Sequence, residues 1–295
     1  MSILSFPDRG PWGKSSYRGN ASGHIYKALY EQLKPKDIVE VFAGSGTAQE
    51  VAAELGIPLV ALDLKDGFDA TSDSILERVG HESDLVFGHA PYGQMIKYSG
   101  HVWGDKPHPA DLSHIEDIDE FIDAMQAVLL NQREATRPGG VYGTLTGDMR
   151  KNGNYTSLQA EYIARMPRNE LKAVLIKGQH NTVSSSKSYG KMRYPFIQHE
   201  YILLWERARA GTYQVLAAIT KQNDRHVKGT WKAILRHALT TLGGEAPLEH
   251  IYAQVSKTAP DERLASNENW QAKIRQTLQR HRDFHNPNRG VWGLA

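Results

Sequence analysis

Short apolar runs alternate with segments of helical periodicity along the first two-thirds of the chain. The runs at 38–42, 58–63 and 83–89 have the length and composition of buried strands, and turn-forming residues follow each of them. Segments 25–34 and 47–56 carry apolar positions at helical spacing. Because strands that alternate with helices build parallel sheets, this pattern predicts an α/β fold.

The same alternation continues to residue 207. A long amphipathic helix is predicted at 121–140, with Pro-Gly-Gly as its stop signal, and a strand at 141–149 follows it. Two further strands, 173–179 and 200–207, are separated by a polar loop and predict an antiparallel edge hairpin. We therefore expect residues 1–207 to form a Rossmann-like, doubly wound, mostly parallel sheet with that hairpin at its edge.

The last part of the chain has a different pattern. Residues 208–228 are polar and mixed, as in a linker. Residues 229–295 contain three short helical segments and a terminal β segment, which predicts a winged-helix-like domain. From Val227 onward the net charge is +4, whereas the rest of the chain carries −2. A basic module beside a near-neutral body suggests a polyanion partner.

Composition narrows the functional classes. The chain has 295 residues and no cysteine, which excludes disulfides, iron–sulfur clusters and thiolate zinc sites. No apolar run is long enough to cross a bilayer, and the first residues lack the pattern of a signal peptide. We therefore expect a cytoplasmic protein that binds no membrane and no metal.

A glycine-containing turn joins the first predicted strand to the next helix. Glycines let the backbone approach a ligand closely, and the free N–H groups of a helix N-terminus suit a carboxylate or phosphate. Gln49 stands where a third glycine would complete a dinucleotide fingerprint, so a nicotinamide site is disfavoured. The predicted cofactor-binding turn consists of Phe42, Ala43, Gly44, Ser45, Gly46 and Thr47.

Acidic residues follow this turn at informative positions. Asp63 lies 17 positions beyond Gly46, at the end of the next predicted strand, where a carboxylate can accept both ribose hydroxyls of a nucleoside. Phe68 and Asp69 come shortly afterwards and could stack on, and hydrogen-bond to, an adenine ring. The turn and these residues together predict a nucleoside-containing cofactor.

His89, Ala90, Pro91 and Tyr92 stand at the end of the third strand. The order of glycine turn, acidic strand end and such a tetrapeptide resembles the S-adenosylmethionine-dependent amino-methyltransferases of DNA. Residues 1–206 resemble most the relaxed-specificity adenine-N6 methyltransferases of Mu-like prophages. Further segments carry this resemblance: SILSFPDRGPWGKSSYRGN, SGHIYKAL, NQREATRPGGVYGTLTGDMR and RYPFIQHEYILLW.

The resemblance implies a class I methyltransferase fold and a role for each residue of the tetrapeptide. His89 and the Ala90 carbonyl accept the two N–H bonds of the target amine, Pro91 stiffens the turn, and Tyr92 stacks on the flipped base. His89 departs from the usual acidic or amide residue, and it can accept only when neutral. Ala90 replaces a proline, which removes some stiffness from the loop.

The resemblance also implies where the cofactor and DNA bind. The segment that contains Gly19 and Asn20 resembles the motif that closes over the methionine end of S-adenosylmethionine. Loops 97–109, 151–155 and 181–194 are candidates for DNA contact, and such short loops suggest weak sequence preference. The candidate DNA-binding residues are Lys187, Lys191 and Arg193 in the last loop, Lys273, Gln276 and Arg280 on one helix face, and Arg289 in the wing.

We therefore predict a methyltransferase that acts on adenine N6 in double-stranded DNA. Cytosine N4 is the first alternative, because both amines present similar hydrogen-bond geometry. A DNA-binding homologue without catalytic activity is the second, because Ala90 departs from the motif. A monomer is slightly favoured over an oligomer.

Overall fold

The computed structural model describes residues 2–180, 193–209, 231–259, 264–265, 269–280 and 284–295. The chain divides into two compact units, Met1–Ile219 and Thr220–Ala295. Lys187, Lys191 and most of the predicted linker lie outside the described residues.

The first unit alternates strands and helices as its apolar pattern predicts. Its strands are β1 Ile3–Ser5, β2 Ile38–Val41, β3 Leu59–Leu62, β4 Ser83–His89, β5 Thr136–Thr146, β6 Met149–Lys151, β7 Asn154–Thr156, β8 Leu171–Gly178 and β9 His199–Glu206. Its helices are α1 Gly23–Leu33, α2 Thr47–Glu54, α3 Ile75–Val79, α4 Ile118–Ala135 and α5 Leu158–Arg165.

Seven of these strands form one sheet in the order β1-β8-β9-β5-β4-β2-β3. Only β9 in this sheet runs against its neighbours: it pairs antiparallel with both β5 and β8, and the remaining pairings are parallel. Strand β2 lies between β3 and β4, so the direction in which the chain winds reverses there. The expected doubly wound, mostly parallel sheet is thus confirmed.

Both faces of the sheet are covered, because successive side chains of its strands enter different apolar clusters. Leu85 and Phe87 pack with α1 and α2, whereas Val86 between them packs with α3, α4 and α5. Ile202 and Leu203 divide in the same way. This two-sided burial explains why the central strands are continuous apolar runs.

A buried ion pair ties α4 to the sheet. Arg133 is fully buried and donates to both carboxylate oxygens of Glu170, at 2.9 Å to Oε2 and 2.7 Å to Oε1. The hydroxyl of Tyr142, on β5, donates to Glu170 Oε2 at 2.6 Å. The contacts link α4, β5 and the residue that precedes β8, and they satisfy the buried carboxylate.

The predicted edge hairpin is wrong in one respect. Strands β8 and β9 do pair antiparallel, but β1 pairs in parallel with β8 and takes the edge position. The backbone groups along the outer side of β8 would otherwise lack partners, and Ile176 N donates to Ser2 O at 2.9 Å. With three residues, β1 is too short to show a strand pattern in the sequence.

The predicted boundary between α4 and β5 is also wrong. The helix ends at Ala135, and β5 begins at Thr136 and runs through the Pro-Gly-Gly segment. Gly139 N donates to Arg207 O at 2.8 Å, and Arg207 N donates to Gly140 O at 2.9 Å, which extends the pairing with the β9 side. On its other side β5 pairs with β4, and the register of this pairing shifts between Ser83 and Leu85. A proline is tolerated at such an irregularity.

The second unit contains helices α6 Trp231–Thr241, α7 Leu248–Thr258 and α8 Trp270–Arg280, and strands β10 Glu245–Pro247, β11 Phe284–Asn288 and β12 Val291–Leu294. The strands form an antiparallel sheet in the order β10-β12-β11. Ile274 and Leu278 are buried in its core, as predicted, and Trp270 packs against it. The sequence pattern did not predict β10 and β11.

Among the described residues, none of the helices combines the length and apolar character that spanning a bilayer requires.

Candidate active site

A cleft opens at the carboxyl ends of β2, β3 and β4. Its empty volume is about 750 Å³, and residues from all three strand ends line it. The cleft lies where the winding direction of the sheet reverses, which is the usual ligand position in open α/β sheets.

The glycine turn after β2 has an unusual backbone. Phe42, Gly44 and Gly46 all have positive φ angles, of 63°, 54° and 83°. For a bulky residue such as Phe42 this conformation costs about 1–3 kcal/mol, and such strain is typical of ligand-binding turns. A Cβ atom on Gly44 would come within 3.2 Å of the Tyr17 ring, so the absent side chain leaves room in the cleft.

The predicted turn residues divide into two groups. Phe42, Ala43, Gly44 and Thr47 line the cleft. Gly46 forms the N-cap of α2. Ser45 and Gly46 are not among the lining residues: the Ser45 hydroxyl donates to Asn20 Oδ1 at 2.7 Å and accepts from Lys14 N at 3.3 Å.

Asp63 lies at the end of β3, as predicted, and lines the cleft. Its side chain is buried, with Oδ2 accepting from Gly44 N at 2.7 Å and Oδ1 accepting from Lys65 N at 3.0 Å. A carboxylate has about four acceptor positions, and these bonds use two of them. Asp63 can therefore hold the turn and still accept hydrogen bonds from a ligand.

Glu40 was missed by the sequence analysis. It lies inside β2, is 2% exposed and lines the cleft, and its Oε2 atom has no hydrogen-bond partner. Burial, reinforced by the negative charge of Asp63, raises the pKa of this carboxyl well above its usual range. An acidic residue between Val39 and Val41 in an otherwise apolar strand was the available signal. An unpaired carboxyl oxygen here suits a positively charged ligand group.

Phe68 and Asp69 line the cleft beyond Asp63. The Asp69 carboxylate accepts from Thr71 N at 2.9 Å, Thr71 Oγ1 at 2.6 Å and Ser72 Oγ at 2.9 Å. Burial acts to raise the pKa of Asp69, but these bonds outweigh it and the pKa is lowered. Asp69 therefore organises its own turn, and Phe68 lines the cleft from the apolar core, in which it is buried.

The segment before α1 lies across the cleft. Gly19 and Asn20 line it, as predicted, and the Asn20 amide donates to Lys14 O at 2.7 Å. A Cβ atom on Gly19 would lie 2.2 Å from the Tyr98 hydroxyl, so this position requires glycine. Tyr17 joins the same wall, its ring 6.4 Å from that of Tyr98.

A loop after β4 forms the adjoining wall. Tyr98 and Trp103, which the sequence analysis placed in a DNA-contact loop, line the cleft together with Asp111. Asp111 is buried and accepts from Ser99 N at 2.7 Å and Ser99 Oγ at 2.6 Å, which closes the loop on itself. The remaining lining residues that the sequence analysis missed are Ala21, Tyr26, Leu64, Ala70, Thr71, Ala110 and Leu112.

The tetrapeptide is divided between the cleft and the protein interior. His89 and Pro91 line the cleft, whereas Ala90 is buried. Tyr92 is not among the lining residues, because its hydroxyl meets His89 Nε2 at 2.9 Å and donates to Glu200 Oε1 at 2.9 Å. The predicted stacking of Tyr92 on a base thus differs from the contacts that the structure gives this ring.

Burial lowers the pKa of His89 to about 4, and the nearby Glu200 only partly opposes this shift. The imidazole is therefore neutral at neutral pH, which is the form that can accept a hydrogen bond. The role predicted for His89 from the sequence, to accept an N–H of the target amine, requires this neutral form.

The predicted DNA-binding residues that the structure describes are exposed or partly exposed. Arg193 stacks against Tyr194, with its guanidinium carbon 5.5 Å from the ring centroid. Lys273 Nζ donates to Gln276 Oε1 at 2.8 Å, and Arg280 is exposed at the end of α8. Arg289 is exposed in the turn between β11 and β12.

Comparisons with known proteins give only distant similarities. No protein-family model and no curated protein matches the chain. Similar solved structures include a candidate DNA modification methylase of Thermus thermophilus in complex with S-adenosyl-L-methionine, with 19% identity over 59% of this chain and 57% of that chain and a TM-score of 0.29. TrmN from Thermus thermophilus has 14% identity over 65% and 51%, with a TM-score of 0.35.

Human N-acetylserotonin methyltransferase in complex with SAM has 11% identity over 63% of this chain and 52% of that chain, with a TM-score of 0.36. The chain thus spans little more than half the length of these structures. At this level of similarity, the assignment of a function depends on the cleft itself.

We predict that Glu40 couples cation binding to proton release. A bound cation favours the carboxylate and lowers the raised pKa of Glu40, so binding releases a proton between the bound and free pKa values, and affinity rises with pH across that window. If the cationic ligand is S-adenosylmethionine, as the sequence predicts, Glu40→Gln should weaken its binding about tenfold or more and remove this proton release. Titration calorimetry in buffers of different ionisation enthalpy measures both quantities.

The exposed Glu31→Gln on α1 is the matched control and should behave as the wild type. Equal proton release by the wild type and Glu40→Gln would contradict the assignment of Glu40.

Proposed function

We propose that the chain is an S-adenosylmethionine-dependent methyltransferase that acts on an exocyclic amine of a DNA base, adenine N6 in the first place. The observation that carries this proposal is one continuous cleft. It contains a carboxylate at a strand end, Asp63, a buried carboxyl with an unpaired oxygen, Glu40, and a neutral histidine, His89.

The polar groups of the cleft fit a nucleoside joined to a cationic amino acid. The free acceptor positions of Asp63 suit ribose hydroxyls, and Phe68 offers apolar surface for an adenine ring. Glu40 would face the positively charged part of the cofactor, which offsets the burial of its unpaired oxygen. Gly19 and Asn20, in the segment across the cleft, would cover the methionine end.

His89 supports an amine as the substrate group. The lone pair of an aromatic amine is delocalised into the ring, and acceptors on its N–H bonds favour the pyramidal, nucleophilic nitrogen. Neutral His89 can accept one N–H, and the Ala90 carbonyl is the proposed acceptor of the other. Bound S-adenosylmethionine supplies the methyl group. The protein contributes positioning and the exclusion of water.

The second unit supports a DNA substrate. In the described residues, helices packed with a small antiparallel sheet are the parts of a winged helix, and α8 exposes Lys273 and Arg280 while Ile274 and Leu278 face the core. We assign residues 1–207 to catalysis and 229–295 to DNA binding, with Arg289 contacting phosphate. Relaxed sequence preference and protection of DNA from restriction are part of the proposal.

We predict that the protein converts adenine to N6-methyladenine in unmethylated duplex DNA. His89→Ala should lower kcat about 100-fold or more, because one amine acceptor is lost. His89→Asn should recover part of the rate, because an amide oxygen also accepts. Nucleoside digestion and mass analysis of the treated DNA measure the product, and His81→Ala, an exposed histidine paired with Asp37, is the control.

If N4-methylcytosine were the sole product, the target base would be cytosine and not adenine. DNA binding without S-adenosylmethionine binding would contradict the enzyme and favour a DNA-binding homologue.

We also predict that α8 contacts DNA phosphate or base edges through Arg280. Arg280→Gln should weaken binding and lower the slope of log affinity against log salt concentration by about 1, because one fewer counterion is released. Lys257→Gln removes the charge of an exposed side chain on α7 and should leave the slope unchanged. Identical salt dependence for the wild type and Arg280→Gln would refute this contact.

A further inference from the structure

His89, Tyr92 and Glu200 form a row of hydrogen bonds beside the cleft. His89 Nε2 lies 2.9 Å from the Tyr92 hydroxyl, which lies 2.9 Å from Glu200 Oε1. His89 ends β4, and Glu200 is the second residue of β9, 108 positions beyond Tyr92. The fold therefore connects a residue of the cleft to a buried carboxylate on a distant strand.

Glu200 is held in its charged form. It is 6% exposed, and burial acts to raise its pKa, but the ammonium of Lys177 and the neighbouring hydrogen bonds outweigh burial and lower the pKa. Lys177 forms an ion pair with Oε2, and the Gln179 amide donates to Oε1 at 2.7 Å. A carboxylate with these partners accepts hydrogen bonds and donates none.

The charge on Glu200 fixes the direction of both hydrogen bonds in the row. A phenol has one proton, and Tyr92 donates it to Glu200. The bond between Tyr92 and His89 therefore requires that His89 Nε2 carries the hydrogen and donates to the phenol oxygen. Because the imidazole is neutral at neutral pH, Nδ1 is left without a proton.

Nδ1 of His89 is free to face a ligand. Among the described residues, none forms a hydrogen bond with this atom, and the ring lines the cleft. Tyr92 is kept out of the cleft by its own packing, since a Cβ atom on Gly147 would lie 2.7 Å from the Tyr92 ring. The row thus leaves His89 Nδ1 as an acceptor for the cleft, while His89 Nε2 and the Tyr92 hydroxyl donate within the row.

We infer that Glu200 and Tyr92 are positioning residues that fix the tautomer of His89, so that Nδ1 accepts an N–H of the substrate amine. The inference rests on the proposed function for the identity of the substrate. A carboxylate at this position accepts in its ordinary state, whereas a neutral imidazole accepts at only one of two nitrogens. The hydrogen bonds of the row determine which nitrogen of His89 is the acceptor.

Nitrogen NMR of protein labelled at histidine tests the tautomer directly, with His89→Asn identifying the His89 signals. In the wild type at neutral pH, the inference predicts a proton on Nε2 and none on Nδ1. In Glu200→Met, Tyr92 loses its carboxylate acceptor, and its hydroxyl should donate to His89 Nε2 and place the proton on Nδ1. Adding Tyr92→Phe to Glu200→Met should remove that constraint.

Methyl transfer gives the second readout. Glu200→Met should lower kcat about 10- to 100-fold with little change in KM for DNA, and the double variant should recover part of the loss. A purely structural role for Glu200 would give no recovery. Tyr201→Phe is the matched control, because it removes a hydroxyl 2.9 Å from His199 on the same strand.

A proton on Nδ1 in the wild type, or the same tautomer in the wild type and Glu200→Met, would overturn the inference. The wild-type spectrum does not depend on the folding of any variant. An Nε2 proton in a wild type that transfers no methyl group would overturn the proposed function and not the tautomer. If the wild type transfers methyl groups but carries the proton on Nδ1, the inference about the tautomer fails and the proposed function stands.

Discussion

The hydrogen bond from Gly44 N to Asp63 Oδ2, at 2.7 Å, is the contact on which the cleft depends. It joins the turn after β2 to the end of β3, and it helps to hold the turn in which Phe42 has a positive φ angle that would otherwise be unfavourable. The same carboxylate keeps acceptor positions toward the cleft. One buried side chain therefore both shapes the binding turn and remains available to a ligand.

The pKa values of two acidic residues and one histidine are shifted differently because the surroundings of the three side chains differ. Glu40 is buried without a partner for Oε2, and its pKa is raised. Glu200 is also buried, but Lys177 lowers its pKa. His89 is kept neutral by burial and takes its hydrogen-bonding direction from Glu200 through Tyr92. The cleft thus offers the Glu40 carboxyl to a cation and the His89 imidazole to an amine.

The features predicted from the sequence are those that follow a strand directly. Asp63 and His89 could be placed because the carboxyl ends of parallel strands meet at one edge of a sheet. The row from His89 to Glu200 could not, because it joins residues more than 100 positions apart, and apolar periodicity carries no information on such contacts. For the same reason Tyr98 was assigned to DNA contact, although it lines the cleft.

Amide hydrogen exchange with and without S-adenosylmethionine tests whether this cleft binds that ligand, as we propose. Binding should slow exchange at 42–47, in the glycine turn, and at 98–112, in the loop after β4, because both segments line the cleft. Segment 231–241, in α6 of the second unit, should show no change. Unchanged exchange in both cleft segments at high ligand concentration would show that S-adenosylmethionine does not bind there.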